Sequence, residues 1–155
     1  LDNEYGVNAP FYNMEDGSVM TVFRYKEQHQ SYPGRVHGGM ITAMLDEMGL
    51  RSLWAKELSE ETFGVTISLD TKYRKPVPYE TELIGRGVVV KNTSHFIITD
   101  SYIMDKDGEI LANGRIKYIK MDTQKIQEGV EVHEEMPYLV EDGRTEIEGP
   151  FFDNL

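Results

Sequence analysis

The sequence predicts an α+β domain in which one long, largely apolar helix packs against an antiparallel sheet of about five strands. A change in the spacing of apolar residues indicates this plan. Apolar residues recur every three or four positions over residues 38–58, as in a helix, and every second position after it, as in strands. One helix covers only one face of such a sheet. The other face and the edges must meet solvent or another chain, so we expect self-association as a homodimer or a homotetramer.

The first elements are a strand and the helix. Residues 19–25 alternate between apolar and polar side chains, as in a strand, and a turn-rich stretch leads from them to the helix. A helix that is apolar over most of its circumference is typical of one wrapped by other structure. The apolar residues of the helix form a stripe and its flanks: Ile41, Met44, Leu45, Met48, Leu50, Leu53, Trp54 and Ala55.

Four strands are predicted after the helix. In the first, residues 65–73, the odd positions are mostly apolar and the even ones polar, which predicts a strand with one buried face. Pro76 and Pro78 end it, because proline cannot continue a ladder of hydrogen bonds. Hairpin turns separate the other three strands: 80–91, 95–105 and 109–121. The sequence therefore predicts these four strands in hairpin succession.

Charge divides the 155-residue chain into two parts. The formal net charge is −11, and residues 122–155 hold ten acidic and two basic residues. We therefore predict a folded domain over 1–121 and an acidic C-terminal extension over 122–155, which is either solvated coil or locally packed. Nucleic acid is disfavoured as a partner because its binding needs a basic surface. A small polyanion needs only a local basic cluster and is not excluded.

Several classes of site are excluded by the residues themselves. Cysteine is absent, which removes thiolate zinc sites and cysteine nucleophiles and fits a cytoplasmic location. No stretch approaches 18 apolar residues, so we expect no membrane span. His29 and His37 lack a third ligand at metal spacing, and we predict no metal. The glycine-rich nucleotide-binding motifs and the Gly-x-Ser-x-Gly elbow of serine hydrolases are also absent.

Two features of the helix point to chemistry. Gly38 and Gly39 open it, and the free N–H groups of a first turn suit a developing oxyanion, although a glycine pair also serves a tight turn. Asp46 lies beside apolar positions rather than on a charged face, and Gly49 leaves space next to it. An acid there is either functional or a structural cap or pair. Glu47 has a simpler role as the ion-pair partner of Arg51.

The stretch Val36-His-Gly-Gly-Met-Ile-Thr-Ala-Met-Leu-Asp46 resembles the signature of hotdog-fold acyl-CoA thioesterases, in the branch of 4-hydroxybenzoyl-CoA and phenylacetyl-CoA thioesterases. The stretches 29–34 and 66–78 are also similar to members of this family, and the resemblance covers residues 11–121. It implies the hotdog fold, a long central helix wrapped by a curved antiparallel sheet. It also implies dimers with active sites between the subunits.

The resemblance implies roles for four residues in hydrolysis of an acyl-CoA thioester. Asp46 matches the general base or nucleophile, and the Gly39 N–H matches the oxyanion donor. His37 matches the residue that positions the thioester or the turn. Thr66, supplied by the partner subunit, matches the hydroxyl that holds the attacking water, unless it is simply an outward-facing strand residue. Ser31 lies where many relatives carry asparagine, so one donor to the thioester is missing or replaced.

The resemblance also implies a coenzyme A site, with coenzyme A as part of the substrate and no separate cofactor. Alternatively, the basic residues among the expected contacts are ordinary charged residues of the protein surface. The expected contacts are Gly38, Arg74, Lys75, Lys91 and Ser94. The main alternative function is a hotdog module that binds acyl-CoA without hydrolysing it. A hotdog dehydratase or hydratase lacks its motif here, and a purely structural protein has only the acidic extension in its favour.

Overall fold

The computed structural model describes residues 3–56, 62–122 and 143–147. One α-helix and six strands make up the domain, and the predicted α+β plan is confirmed. The elements are β1 (Tyr12–Asn13), β2 (Val19–Phe23), a 3-10 turn (Glu27–His29), α1 (Gly38–Lys56), β3 (Thr62–Tyr73), β4 (Leu83–Asn92), β5 (Phe96–Met104) and β6 (Ile110–Asp122). The sequence predicted about five strands, and the described residues contain a sixth, the short strand β1.

The strands form one antiparallel sheet in the order β1-β2-β4-β5-β6-β3. The predicted hairpins β4–β5 and β5–β6 are present, but the prediction that β3 and β4 are hairpin neighbours was wrong. Three strand spacings, about 14 Å, separate them. The nine residues 74–82, with Pro76 and Pro78 among them, are long enough to carry the chain across the sheet. As a result, among the strands of the described residues, β3 pairs with β6 alone and forms one edge of the sheet.

Helix α1 lies on one face of the sheet and builds the core with it. Leu45 and Met48 of α1 are completely buried against residues of β2, β4 and β5. The helix comes so close to β4 that a Cβ atom added to Gly87 would overlap the main-chain carbonyl group of Met48. A side chain at that position would force the helix off the sheet, so the packing depends on bare backbone there.

A β-bulge in β3 changes which side chains face the helix. Ile67 is an extra residue between Thr66 and Ser68 in the register with β6. Thr66 faces α1 before the bulge and the odd-numbered Tyr73 faces it afterwards, and both bond to the helix. The sequence predicted that the odd positions of this strand are buried throughout. That prediction was wrong, since Val65, Ile67 and Tyr73 are 39%, 52% and 55% exposed.

The opposite face of the sheet carries a second, smaller apolar cluster. Met20, Ile84 and Met104 form it, and Ile147 from the C-terminal extension packs against it. Ile147 therefore packs on the sheet, while the choice between solvated coil and local packing for the extension as a whole stays a prediction. Most of the predicted extension, residues 123–142 and 148–155, lies outside the described residues.

The close approach of α1 and β4 generates a stability prediction. Gly87→Ala is expected to lower the free energy of unfolding by about 3 kcal/mol, because the methyl group meets helix backbone that cannot move aside. Gly114→Ala on β6 is the control, since its added Cβ would lie 3.5 Å from Leu45 and Ile116, an ordinary contact. Denaturant unfolding at one protein concentration measures both. Equal losses for the two variants would contradict the packing described.

Candidate active site

The first turn of α1 is capped by a histidine. The Gly39 N–H donates a hydrogen bond to Nδ1 of His37 at 2.9 Å, and the His37 carbonyl accepts from the N–H groups of Met40 and Ile41. A side-chain acceptor bound to the second N–H of a helix is the arrangement of an N-cap. The predicted oxyanion donor, Gly39, is thus hydrogen-bonded within its own chain in this structure.

Gly38 faces a tyrosine that the sequence did not single out. Tyr73 Oη donates to the Gly38 carbonyl at 3.1 Å and lies 2.7 Å from Thr42 Oγ1. A Cβ added to Gly38 would lie 3.3 Å from the same phenol oxygen. The end of β3 is therefore fastened to the first turn of α1. Among the described residues no acceptor contacts the Gly38 N–H, which leaves it available at the helix N-terminus.

Asp46 lies in the middle of α1 with its carboxylate held by two hydroxyl groups. Thr66 Oγ1 on β3 donates to Oδ1 at 3.0 Å and to Oδ2 at 3.2 Å. Tyr118 Oη on β6 lies 3.1 Å from Oδ1 and 2.8 Å from the Asp46 carbonyl oxygen. The sequence predicted apolar surroundings for Asp46, and the resemblance implied that Thr66 comes from the partner subunit. Both expectations were wrong, because the half-buried carboxylate meets hydroxyls of its own chain.

Tyr118 is the contact that sequence reasoning missed. Its side chain is completely buried, and burial, followed by the negative charge of Asp46, raises the pKa of the phenol above its ordinary value. The phenol therefore stays protonated and can donate. The space predicted beside Gly49 is where it lies, since a Cβ added to Gly49 would overlap Tyr118 Oη. Gly49, three residues after the acid, was the signal available in the sequence.

The neighbouring acid has the structural role predicted for it. Glu47 Oε1 accepts a hydrogen bond from Arg51 Nε at 2.7 Å, one helical turn further on. The guanidinium group of Arg51 also lies over the rings of Phe11 and Trp54, at 5.2 Å and 5.1 Å from their centroids. Glu47 thus belongs to a surface ion pair. Asp46 is the acid of this helix that contacts the sheet.

Gly39 and Asp46 do not meet within one chain. Seven residues separate them on α1, which is about 10 Å along the helix axis. The free N–H groups of a first turn also point out of the N-terminus, away from the positions that follow. One carbonyl group cannot accept from the N–H of Gly39 and lie beside the carboxylate of Asp46 in the same molecule.

The residues expected at coenzyme A fall into two groups within the chain. The N–H groups of Arg74 and Lys75 bond to the carbonyl of Leu111 at the start of β6, whereas Lys91 and Ser94 lie at the β4–β5 turn beside its end. Eight strand residues, about 26 Å, separate these two ends. Each side chain has a local contact: Arg74 with Asn113, Lys75 with Glu109, Lys91 over the Phe96 ring and Ser94 with His95.

The remaining candidates do not form a metal centre. His29 is buried, with Nδ1 accepting from the Lys26 N–H at 3.0 Å and Nε2 lying 2.8 Å from the Tyr5 carbonyl oxygen. It anchors the N-terminal segment. In the part of the chain that the structure describes, no three histidine, aspartate or glutamate side chains cluster as metal ligands. In the same residues no helix has the length and apolarity needed to span a membrane.

The chain is similar to known proteins of one family. The family model described as "Thioesterase superfamily" matches residues 33–112, about half of the chain. Acyl-coenzyme A thioesterase 13 from Homo sapiens is 23% identical over 100 residues, which are 64% of this chain and 70% of the human protein. Acyl-coenzyme A thioesterase THEM4 from Rattus norvegicus is 25% identical over 118 residues, 76% of this chain but 49% of the rat protein.

Solved structures show the same fold. A crystal structure described as a thioesterase superfamily protein aligns with a TM-score of 0.65 and 25% identity, over 71% of this chain and 55% of that chain. A structure described as a hypothetical thioesterase protein with coenzyme A, from Streptococcus pneumoniae, aligns with a TM-score of 0.66 and 19% identity, over 74% of this chain and 90% of that one. This chain thus spans about half of the first structure. The predicted hotdog fold is confirmed by these likenesses.

The histidine cap generates a prediction about the first turn of α1. His37→Ala is expected to lower the free energy of unfolding by about 1 kcal/mol, because it leaves an N–H of the first turn without its acceptor. His37→Asn keeps a side-chain acceptor and is expected to retain most of the stability. Denaturant unfolding at a fixed protein concentration distinguishes the two. Alanine and asparagine variants with the same loss would show that the cap contributes nothing.

Proposed function

We propose a function from one premise: this chain belongs to the thioesterase superfamily, whose model covers residues 33–112. Membership and the acyl-coenzyme A thioesterases among its relatives support thioester hydrolysis. The finer proposal is that the chain hydrolyses an acyl-CoA thioester to a free acid and coenzyme A. The main support for this proposal is the Asp46 carboxylate on the side of α1, which accepts a hydrogen bond from the Thr66 hydroxyl at 3.0 Å.

In the proposed reaction Asp46 acts as general base. Its carboxylate takes a proton from water as the water oxygen attacks the thioester carbonyl carbon. The tetrahedral intermediate then collapses, the C–S bond breaks, and the proton passes to the leaving sulfur. The Thr66 hydroxyl uses its proton on Asp46 and keeps lone pairs that can accept a hydrogen bond from the water. Direct attack by Asp46, giving an anhydride that water then cleaves, is the nucleophilic alternative.

The oxyanion donor is proposed to come from a second copy of the chain. Within one copy, the Gly39 N–H and the Asp46 carboxylate cannot contact the same thioester carbonyl group. A complete site therefore needs the first turn of α1 from another copy. The edge strand β3 supports this arrangement, because Val65 and Ile67 are exposed on either side of Thr66 and a bare edge is a template for pairing. Antiparallel pairing of two β3 strands about a two-fold axis would put two such helices side by side.

In such a dimer the Gly39 N–H must exchange acceptors. His37 Nδ1 occupies it in the free chain, and the carbonyl oxygen of the thioester takes that position when the imidazole turns aside. The N–H of Gly38 is the neighbouring donor. This exchange gives His37 the positioning role expected from the sequence, since its ring holds the donor ready and directed outward until substrate arrives.

Coenzyme A is proposed to bind across the same pair of chains. Antiparallel pairing brings the C-terminal end of one β3, followed by Arg74 and Lys75, toward the end of the other chain where Lys91 and Ser94 lie. The two groups that are far apart in one chain then face one substrate, and their positive charge suits its phosphates. A cytoplasmic location, the absence of any separate cofactor and a dimer of dimers stay predictions.

The assignment of Asp46 is tested by Asp46→Asn. We expect kcat for release of free coenzyme A from acyl-CoA to fall at least about a hundredfold, because the variant cannot accept the proton. Glu47→Gln is the control, as it changes the adjacent acid, which pairs with Arg51, and should keep the parent kcat. A thiol-reactive dye measures coenzyme A over a panel of acyl chains. Parent-like turnover by the asparagine variant would rule out this base, and binding of acyl-CoA without turnover by the parent would favour the non-catalytic module.

The two-chain site is tested by mixing two inactive variants. Gly39→Pro removes the N–H donor at a position in the first turn where proline is tolerated, and should lower kcat about a hundredfold. Mixed dimers of Asp46→Asn and Gly39→Pro chains, coexpressed with two affinity tags, regain one intact site and are expected to show about half the parent kcat. Mixed dimers that remain inactive would mean that each chain completes its own site.

A further inference from the structure

Tyr118 contacts both the main chain and the carboxylate of Asp46 from beneath the helix. Its Oη lies 2.8 Å from the Asp46 carbonyl oxygen and 3.1 Å from Oδ1. The side chain is completely buried on β6, where residues 66 and 118 are partners in the pairing with β3. Thr66 and Tyr118 therefore reach the same carboxylate from adjacent positions on two paired strands.

We propose that Tyr118 is a positioning residue that fixes the Asp46 carboxylate for hydrolysis and leaves Oδ2 as the oxygen that receives the proton. This inference rests on the proposed thioesterase function. Oδ1 has two hydroxyl contacts, with Thr66 at 3.0 Å and Tyr118 at 3.1 Å, whereas Oδ2 has one, with Thr66 at 3.2 Å. An oxygen with two donors is less available to a third partner, so water meets Oδ2.

The bare backbone of Gly49 makes this contact possible. A Cβ atom there would overlap Tyr118 Oη and meet Thr99 Oγ1 at 2.5 Å. Glycine is unfavourable within a helix, so its presence one turn after Asp46 has a reason in the phenol that fills the space. Residues of α1 and β5 thus form the space that the phenol of Tyr118, on β6, occupies.

The phenol of Tyr118 also stays a hydrogen-bond donor beside Asp46. The raised pKa of the buried phenol keeps it protonated while the base works. The groups around Asp46 are the Thr66 hydroxyl from β3, the Tyr118 phenol from β6, and Glu47 on α1 itself, whose charge is paired with Arg51. Removing the phenol should therefore leave the Asp46 carboxylate held by the Thr66 hydroxyl alone among these groups.

Tyr118→Phe, compared with Tyr25→Phe, tests the role in turnover. Tyr25 is a matched control, because it is also completely buried and its Oη donates to an α1 carbonyl, that of Met40, at 3.3 Å without touching Asp46. We expect Tyr118→Phe to lower kcat about tenfold with KM within about twofold, because the carboxylate loses orientation while substrate binding is kept. Tyr25→Phe should change neither. Parent-like kcat in Tyr118→Phe would overturn the proposal.

A second measurement does not depend on turnover. In a double-mutant cycle, the fall in the denaturation midpoint caused by Tyr118→Phe should be smaller in an Asp46→Ala background, because the carboxylate contact is already gone. Additive effects would overturn the role of Tyr118 even in an active enzyme. A parent chain that hydrolyses no thioester would instead refute the proposed function, while the cycle still decides the contact. If Tyr118→Phe does not fold, Gly49→Ala displaces the phenol and takes its place in both experiments.

Discussion

The direct contact between α1 and the sheet is the constraint on which the rest of this structure depends. Gly87 lets the helix backbone reach β4, and Gly49 lets a tyrosine from β6 reach the helix. Both contacts need a glycine, so even one added methyl group at either position would disturb the packing of α1 on the sheet. Asp46 lies within one turn of both contacts on α1, at Met48 and Gly49, and hydroxyls of β3 and β6 meet its carboxylate only at this separation. The site is therefore a consequence of how closely the helix packs.

Local spacing predicted the fold well, and long-range pairing accounts for what it missed. The start of α1 at Gly38 and the strands β4 to β6 follow from apolar periodicity and turn residues, which act over a few positions. The pairing of β3 with β6 depends on contacts some fifty residues apart, which periodicity does not contain. The bulge at Ile67 also reverses the alternation within one strand. A strand whose sequence predicts buried odd positions therefore turns Thr66, an even position, toward α1 and Asp46.

The candidate site could be predicted in part for the same reason. Asp46 and Gly39 lie on one helix, so their spacing from His37 is visible in the sequence. The partners that hold them are of two kinds. His37 caps Gly39 from two residues away, a local contact that the search for an oxyanion donor passed over. Tyr118 is 72 residues from Asp46, and only the register of β6 with β3 brings it there. Asp46 could therefore be predicted from the sequence, whereas its contact with Tyr118 could not.

Pairing of two chains along β3 would both complete the proposed site and cover the edge that β3 forms among the described strands. Within a single chain the N–H groups at the start of α1 point away from Asp46, and β3 exposes Val65 and Ile67 around Thr66. Exposed apolar side chains on an unpaired edge are unfavourable in water and favour pairing. A two-fold axis at this edge would reverse the direction of the second helix, so its first turn would approach the carboxylate of the first. The residues that would stabilise the dimer thus adjoin those that would complete the chemistry, which is why we propose one interface for both.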